Sequence, residues 1–458
     1  MLQSWRHSRR STIATCCWPI TVKRPGDCYF GTIDQMWAAS RPPKAPVRLF
    51  PIRLIEIIVP SRLGTNFRWL LSSTVVNNAG DGVAVAAGPL LVASLTRDPF
   101  VVSLALLSQW LPMLLFGVIG GVAADRVDRR RMVVAVNLTR AVVLATLVAF
   151  IVGGNVSIAL VLVVLFVLGT AETFADSASS TLLPCLVARR DLGIANARLQ
   201  GASLLTNQLL APPIGAFLFA TGRALPFAAN AAAFVLGALL ISRIVGSMRS
   251  ERVEMASVWA DMGEGIRWLF GHRPMRTLAL TIFAFNVTYG AAWGVLVLYA
   301  GERLGMGEVG FGLLVTATAV GGVVGTLSYG FLERRFSLAN MLRVGLLIET
   351  GTHLSLALTT SPVVALATLV VFGAHAFVWG TLATVVRQRA VPNALLGRVA
   401  GAYRVAIVGG LVVGAPLGGL LARMFDITAP FWFGFIGSAV LVALLWRQFA
   451  HIAHAAEP

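Results

Sequence analysis

An all-α membrane protein of twelve transmembrane helices, set out as two pseudo-symmetric six-helix halves, is the fold class this sequence predicts, on three observations. Hydrophobic residues make up 57% of the chain and charged residues only 12%, about half the charged share of an ordinary soluble domain. Mean hydropathy is +0.79. The apolar residues fall in continuous runs of roughly the 20 residues that span a bilayer, and continuous runs specify helices, because barrel strands would alternate. Finally, the two halves repeat. A shift of 204 residues (391 minus 187) carries Val187 onto Val391, Leu192 onto Leu396, Pro212 onto Pro416, Gly215 onto Gly419 and Phe227 onto Phe431. One register held across these landmarks is the mark of a duplicated unit.

The elements follow in chain order. Residues 1–65 hold both lysines, Lys23 and Lys44, and three of the four cysteines, Cys16, Cys17 and Cys28. They lack a long apolar run and any clear signal-peptide pattern, so a disordered basic extension is expected. Sequence of the kind that follows begins only near Asn66, and the expectation is that Met1 is a mis-assigned start. The N-terminal half, residues 66–245, is expected to span at 67–94, 99–122, 132–152, 156–184, 199–221 and 226–245. A charged connection at 246–275 contains EGIRWLFGH, where Ile266, Leu269 and Phe270 share one stripe of an amphipathic helix expected at the membrane surface. The C-terminal half, residues 276–450, is expected to span at 276–300, 308–331, 341–360, 362–386, 399–423 and 429–449, with a tail at 451–458.

The formal charge of +17 does not point to nucleic acid, because the arginines are scattered through short turns rather than gathered on one face. Turns 2–3, 4–5, 8–9 and 10–11, with the helix ends beside them, hold Arg126, Arg129, Arg130, Arg131, Arg189, Arg190, Arg198, Arg334, Arg335, Arg343, Arg387, Arg389, Arg398 and Arg404. The opposite side has only Arg97, Arg223, Arg303 and Arg423. Positive charge accumulates inside, so both termini are expected in the cytoplasm of a multi-pass plasma (inner) membrane protein. No glycine precedes a lysine, which excludes a Walker A loop, and H-E-x-x-H, C-x-x-C and G-x-S-x-G are absent. Neither an enzyme nor a cofactor nor a metal site is expected.

Between the second and third spans lies GVAADRVDRRR, Gly121 to Arg131. It resembles the loop between helices 2 and 3 of the major facilitator superfamily, G-x-x-x-D-R-x-x-R-R, matched at Gly121, Asp125, Arg126, Arg129 and Arg130. A solvated positive turn that fixes topology is the plainer reading of the same residues. NNAGD at Asn77 to Asp81, GTAETFAD at Gly169 to Asp176, LLP at Leu182 to Pro184, IANARL at Ile194 to Leu199 and RQRAVPNALLGRV at Arg387 to Val399 resemble one branch of that superfamily. The branch holds the enterobactin exporter and macrolide-efflux-like proteins. The resemblance implies the major facilitator fold and export of a drug, siderophore or secondary metabolite. Exporters of the superfamily commonly carry G-x-x-x-G-P-x-x-G-G, the antiporter signature, in helix 5. Here helix 5 reads Ala211-Pro212-Pro213-Ile214-Gly215-Ala216, and the better match, GLVVGAPLGG with Pro416 and Gly419, lies in helix 11.

Asp81, Glu172, Asp176 and Glu349 fall inside apolar runs, where an ionisable group is costly and marks a substrate or proton path. Asp81, near the middle of helix 1 and one turn from Asn77, is expected to be the proton-coupling carboxylate, with Glu172 second. Glu172 and Asp176 share a face of helix 4. Arg140 on helix 3 matches Asp176 in depth, so these two are expected to pair. Glu349 with His353, and likewise His375, reads as local packing. Asn207 and Gln208, ahead of a helix 5 bend at Pro212, and Asn286, Tyr289 and Trp293 on one stripe of helix 7, are candidate cavity groups, with interhelical packing as the other reading of each.

The function expected is export of small amphipathic molecules by proton antiport with alternating access, by a monomer whose partners are substrate, protons and the lipid bilayer. An importer or uniporter of the same fold, or a non-transporting membrane sensor or scaffold, remains open. By the resemblance, Asp125→Asn should bias the conformational equilibrium without abolishing binding. Altered labelling of cysteines introduced on the periplasmic side is the expected readout, and labelling equal to that of the wild type contradicts it.

Overall fold

The computed structural model describes residues 61–246, 258–446 and 448, all within one compact unit, Ile55–Pro458. The expectations for the basic extension and for the C-terminal tail lie outside the described residues. After a 3₁₀ turn at Ser61–Leu63 come α1 Gly64–Leu95, α2 Pro99–Arg126, α3 Arg129–Val152, α4 Ile158–Leu186 and, past another 3₁₀ turn, α5 Leu192–Ser203. A π-helical segment, Leu204–Leu210, joins α5 to α6 Ala211–Thr221, followed by α7 Leu225–Ser242 and α8 Val258–Gly271. The remainder is α9 Arg273–Gly294, α10 Leu296–Glu302, α11 Glu308–Arg335, α12 Leu338–Leu358, α13 Pro362–Ala390, α14 Leu396–Met424 and α15 Ala429–Leu445.

Helix starts are written locally. Asp98, Asp128, Ser157 and Ser337 each cap a helix by accepting a backbone N–H, and proline occupies the first turn of α2, α6, α7, α9, α13 and α15, where its missing N–H costs nothing. The π segment has a local cause as well. Pro212 and Pro213 lack N–H groups and crowd the carbonyls one turn back, which widens the turn ahead of them. The bend expected at Pro212 is therefore spread over the residues before it.

Among the described residues, nine helices are long and apolar enough to cross a membrane, or ten if α9 and α10, bent by 46° at Val295, form one broken span. Two of the twelve expected spans differ. The helix α12 carries Arg343, Glu349 and His353, and α15 is a shorter apolar helix of 17 residues.

Packing positions the site. The closest helix pairs are α9 with α14, α11 with α13, α2 with α4 and α3 with α7. The most extensive contacts between early and late helices are α2 with α14 and α6 with α11. Both are tight near the arginine-poor ends. A Cβ at Gly419 would strike Ser103 and Phe100, and one at Gly312 would strike Ala216 and Pro213. Arg423 at the end of α14 also reaches Asp98, which caps α2, at 3.5 Å. Toward the arginine-rich ends α2 and α14 border a cavity.

The amphipathic helix expected at the membrane surface is α8, and it docks on α14. Leu269 is buried, Ile266 faces the cavity and Phe270 stays 49% exposed. Arg398 of α14 holds it by ion pairs to Asp261, at 2.7 Å, and to Glu264.

The pair α11–α13 interlocks through glycines. A Cβ at Gly373 would collide with the Thr318 carbonyl and one at Gly321 with the Val370 carbonyl, whereas Gly380 has open space around its Cβ position. Overpacking of this kind costs about 1–3 kcal/mol. Gly373→Ala should lower the melting temperature of the purified protein while Gly380→Ala leaves it within error, and equal melting of the two variants contradicts this packing.

Candidate functional site

The site is built around Arg140, whose side chain is only 4% exposed. The guanidinium lies 3.6 Å from Asp81 on α1 through Nη1 and 3.9 Å from Glu172 on α4 through Nη2. On its other side, Cζ sits 4.9 Å from the centroid of the Phe234 ring on α7. Four helices thus converge on one charge. Isolated, that charge would cost several kcal/mol to bury, and it persists through its carboxylates and the face of an aromatic ring. Glycine lets α1 come close enough, because a Cβ at Gly80 would meet Asn230 of α7 and one at Gly82 the backbone of Asn207.

Two cavities meet at this cluster. The larger, of about 860 Å³, is lined by Asp81, Asn77, Asn78, Asn137, Arg140 and Asp176 from the early helices, by Asn196 and Gln200 of α5, by Met262 and Ile266 of α8, and by Arg404 and Val405 of α14. The smaller, of about 130 Å³, is lined only by residues of α1, α2, α3, α4 and α7, among them Gln109, Trp110, Glu172 and Asn230. Asp81, Arg140 and Asp176 border both. Asp81 and Asp176 thus face the large cavity beside Arg140, Glu172 faces the smaller one and Arg404 stands opposite on α14, and the large cavity's lining, half apolar and half polar, suits an amphipathic ligand.

The structure corrects one sequence expectation. Within ion-pair distance Arg140 meets Asp81 and Glu172, and Asp176 is not among its partners. Depth matching between neighbours α3 and α4 could not anticipate that α1, far away in sequence, supplies the nearest acid. For the same reason Asp81, with no arginine near it in sequence, has one beside it in space.

The remaining expected residues are dispersed. In the signature loop, Arg129 donates to Cys185 at 3.0 Å and Arg130 to the Ser242 carbonyl at 2.8 Å, so the loop caps the ends of α4 and α7. Arg126 is exposed, and Gly121 faces open space, the close approach being at Gly120 against Thr173 and Ser177 instead. Asp125 lies in the last turn of α2, and its side chain is outside the described residues. Asn207 and Gln208 sit in the π segment and line neither cavity. Nor do Asn286, Tyr289 and Trp293. Asn286 packs against Gly410 of α14, while Tyr289 stacks on Trp293 and on Phe372, centroids 5.0 and 5.6 Å away. Gly215 is where α6 touches the Val83 backbone of α1, and α14 runs through Pro416 unbroken.

Residues the sequence reading passed over include Gln109, Asn137, Asn230 and Arg404. Arg404 had counted only as a topology marker, and the two asparagines were the available signal, as buried amides in apolar helices.

A family model described as transmembrane secretion effector matches residues 59–455. The chain belongs to that family, exporters of the major facilitator superfamily. Among curated proteins, the multidrug efflux pump Tap of Mycolicibacterium fortuitum is 29% identical over 367 residues, covering 77% of this chain and 87% of Tap. The enterobactin exporter EntS of Shigella boydii serotype 4 (strain Sb227) is 26% identical over 397 residues, covering 83% and 92%. Among solved structures, a bacterial homologue of the iron transporter ferroportin in an inward-facing state superposes with a TM-score of 0.68 at 18% identity, covering 84% of this chain and 98% of that one. The nucleoside transporter NupG gives 0.66 at 12% identity, covering 85% and 99%. This secretion-effector chain is therefore a multi-pass membrane transporter and not an enzyme.

A double-mutant cycle checks the cluster. Arg140→Ala and Asp81→Ala should be non-additive in folded yield and melting temperature, with a coupling of about 0.5–3 kcal/mol, because either change strands the other charge. Arg140→Ala with Asp176→Ala should couple more weakly, and the reverse order would contradict the geometry.

Proposed function

We propose that this chain exports small amphipathic molecules by proton antiport, as a monomeric major facilitator carrier of twelve spans in two six-helix halves that expose one site alternately to each side of the inner membrane. The observation that carries the reading is the Arg140 cluster where the two cavities meet, with one buried guanidinium between Asp81 and Glu172, Asp176 bordering both cavities and Glu172 the smaller one. Counting Arg404, which faces the cluster across the large cavity, three acids meet two bases, an excess of one carboxylate (three minus two). Such an excess is balanced by protons when the cavity is empty and by substrate contacts when it is filled, the exchange that antiport needs.

The amphipathic substrate class is supported by a large cavity lined by apolar and polar residues in equal measure and by the printed functions of Tap and EntS. Alternating access is supported by the asymmetry of closure. The α2–α14 and α6–α11 contacts are tight at the arginine-poor ends, and the cavity lies toward the arginine-rich ends, the side the positive-inside rule assigns to the cytoplasm. With α12 and α15 counted beside the ten spans, the helices number twelve.

Asp81 is assigned the coupling role because it touches Arg140 and borders both cavities. Asp81→Asn keeps the size and much of the hydrogen bonding but removes titration. In vesicles, the variant should retain counterflow exchange of a compound the wild type transports and lose its accumulation driven by an imposed pH gradient. Uphill accumulation with normal pH dependence would assign coupling elsewhere, and loss of exchange as well would mark Asp81 as a binding residue only.

A further inference from the structure

Away from the Arg140 site, the late helices enclose another ionisable cluster. Glu349 on α12 is 4% exposed, His353 one turn later 3% and His375 on α13 8%. The Nε2 atom of His353 lies 3.3 Å from one carboxylate oxygen of Glu349, and that of His375 lies 3.4 Å from the other. Both rings are seated against glycine. A Cβ at Gly345 would come within 3 Å of the His375 ring, and one at Gly434 of α15 would press on the His353 ring. The indole of Trp379 and the ring of Phe372 close the far side of His375, at 5.9 and 6.4 Å between centroids. None of the three polar residues lines either cavity described above.

Charge accounting sets the question. Two neutral imidazoles and an ionised carboxylate bury a net negative charge, and among the described residues no cation other than the imidazoles lies within ion-pair distance of Glu349. The surrounding elements supply none. On α15, Ala429–Leu445 contains no titratable side chain, and α9 presents Tyr289, whose phenol feels the Glu349 charge. Arg387 and Arg389 of α13 are twelve or more residues past His375, about 18 Å along the helix, and Arg387 covers the Tyr403 ring of α14 at 4.6 Å. Arg343 of α12 is six residues from Glu349, about 9 Å, and donates to the Trp446 carbonyl at 3.0 Å. The charges of α11, Glu308, Glu333, Arg334 and Arg335, sit at its ends, as do Arg398 and Arg423 on α14. Arg404 of α14 lines the large cavity. A buried charge without a partner costs far more than a paired one, so the cluster must hold a proton of its own.

Geometry also says which ring carries it. Both ring nitrogens of His353 are buried without a hydrogen bond, and neither nitrogen of His375 is among such atoms. A second N–H on the His353 ring would be an unsatisfied charged donor, costlier than an unsatisfied lone pair. We infer that Glu349, His353 and His375 form a proton-binding site sealed between α12, α13 and α15, with Glu349 ionised, His375 holding the bound proton as an imidazolium and His353 neutral beside it. The site is separate from the Arg140 cluster and does not depend on the transport reading. Its proton ties α12 to α13, and its loss leaves a bare carboxylate at that joint.

The experiment is nitrogen NMR of the full chain, labelled at histidine and purified in detergent, with signals assigned through single His→Gln substitutions. At pH 7, His375 should show both ring nitrogens in the imidazolium state and His353 a neutral ring. In Glu349→Gln, where no negative charge remains, His375 should be neutral at the same pH. The stabilising charge is present at low pH and lost as pH rises, so the wild-type melting temperature should drop over the interval in which the His375 imidazolium signal disappears, and Glu349→Gln should show no such drop. A neutral His375 in the wild type at pH 7, a charged His353, or an imidazolium unchanged in Glu349→Gln would each overturn the inference. Should Glu349→Gln fail to fold, His353→Gln serves instead. It leaves the Glu349–His375 pair, so a charged His375 is expected and a neutral one overturns the site.

Discussion

A single buried guanidinium organises the early helices. Arg140 is reached by a carboxylate from α1, a carboxylate from α4 and an aromatic ring from α7, so the positions of four helices are set by the need to keep one charge solvated by protein. Because an unpaired arginine in hydrocarbon costs kilocalories whichever scale is used, any motion of α1 relative to α3 must carry Asp81 with Arg140 or replace that contact. The same contact is therefore structural glue and the most responsive point on the cavity wall. A proton or a ligand that takes one partner away changes the energy of the whole four-helix junction.

The second constraint is the asymmetry between the two ends of the bundle. At the arginine-poor end, glycine and alanine let α2 meet α14 and α6 meet α11 at backbone distance, and the Arg423–Asp98 pair adds a modest polar tie at the rim. Toward the other end lies the cavity, and α8 closes part of it, pinned to α14 by Arg398. Small residues make a contact that is close but holds no large interlocking side chains, so it can separate without breaking a packed core. Arginine–carboxylate ties at both ends are of the kind that can be exchanged for water at modest cost.

Much of this was legible in the chain. Helix positions follow from apolar runs and from their caps, since a bilayer leaves the backbone few choices, and the carboxylates of the site stood out because they interrupt those runs. What was not legible is which groups meet. Asp81 and Arg140 are brought together by the order in which α1, α3 and α7 pack, and Asp176, equal in depth to Arg140, is not its ion-pair partner. Helical stripes do not say which way they face either: Tyr289 and Trp293 form an aromatic stack with Phe372, and the apolar stripe of α8 found α14. The Glu349 cluster was half visible as an i, i+4 pair on α12, and its third member, His375, could come only from the α12–α13 packing.

The central claim is that ligand and protons compete for one acid-rich wall, and the pH of a weakly buffered solution of the purified carrier tests it most directly. An amphipathic compound shown to bind is added, and the proton count per bound ligand is read. The account predicts net release of protons from the wild type as the ligand binds, with the release abolished in Asp81→Asn. Saturating binding to the wild type with no proton exchanged across the neutral pH range would contradict it.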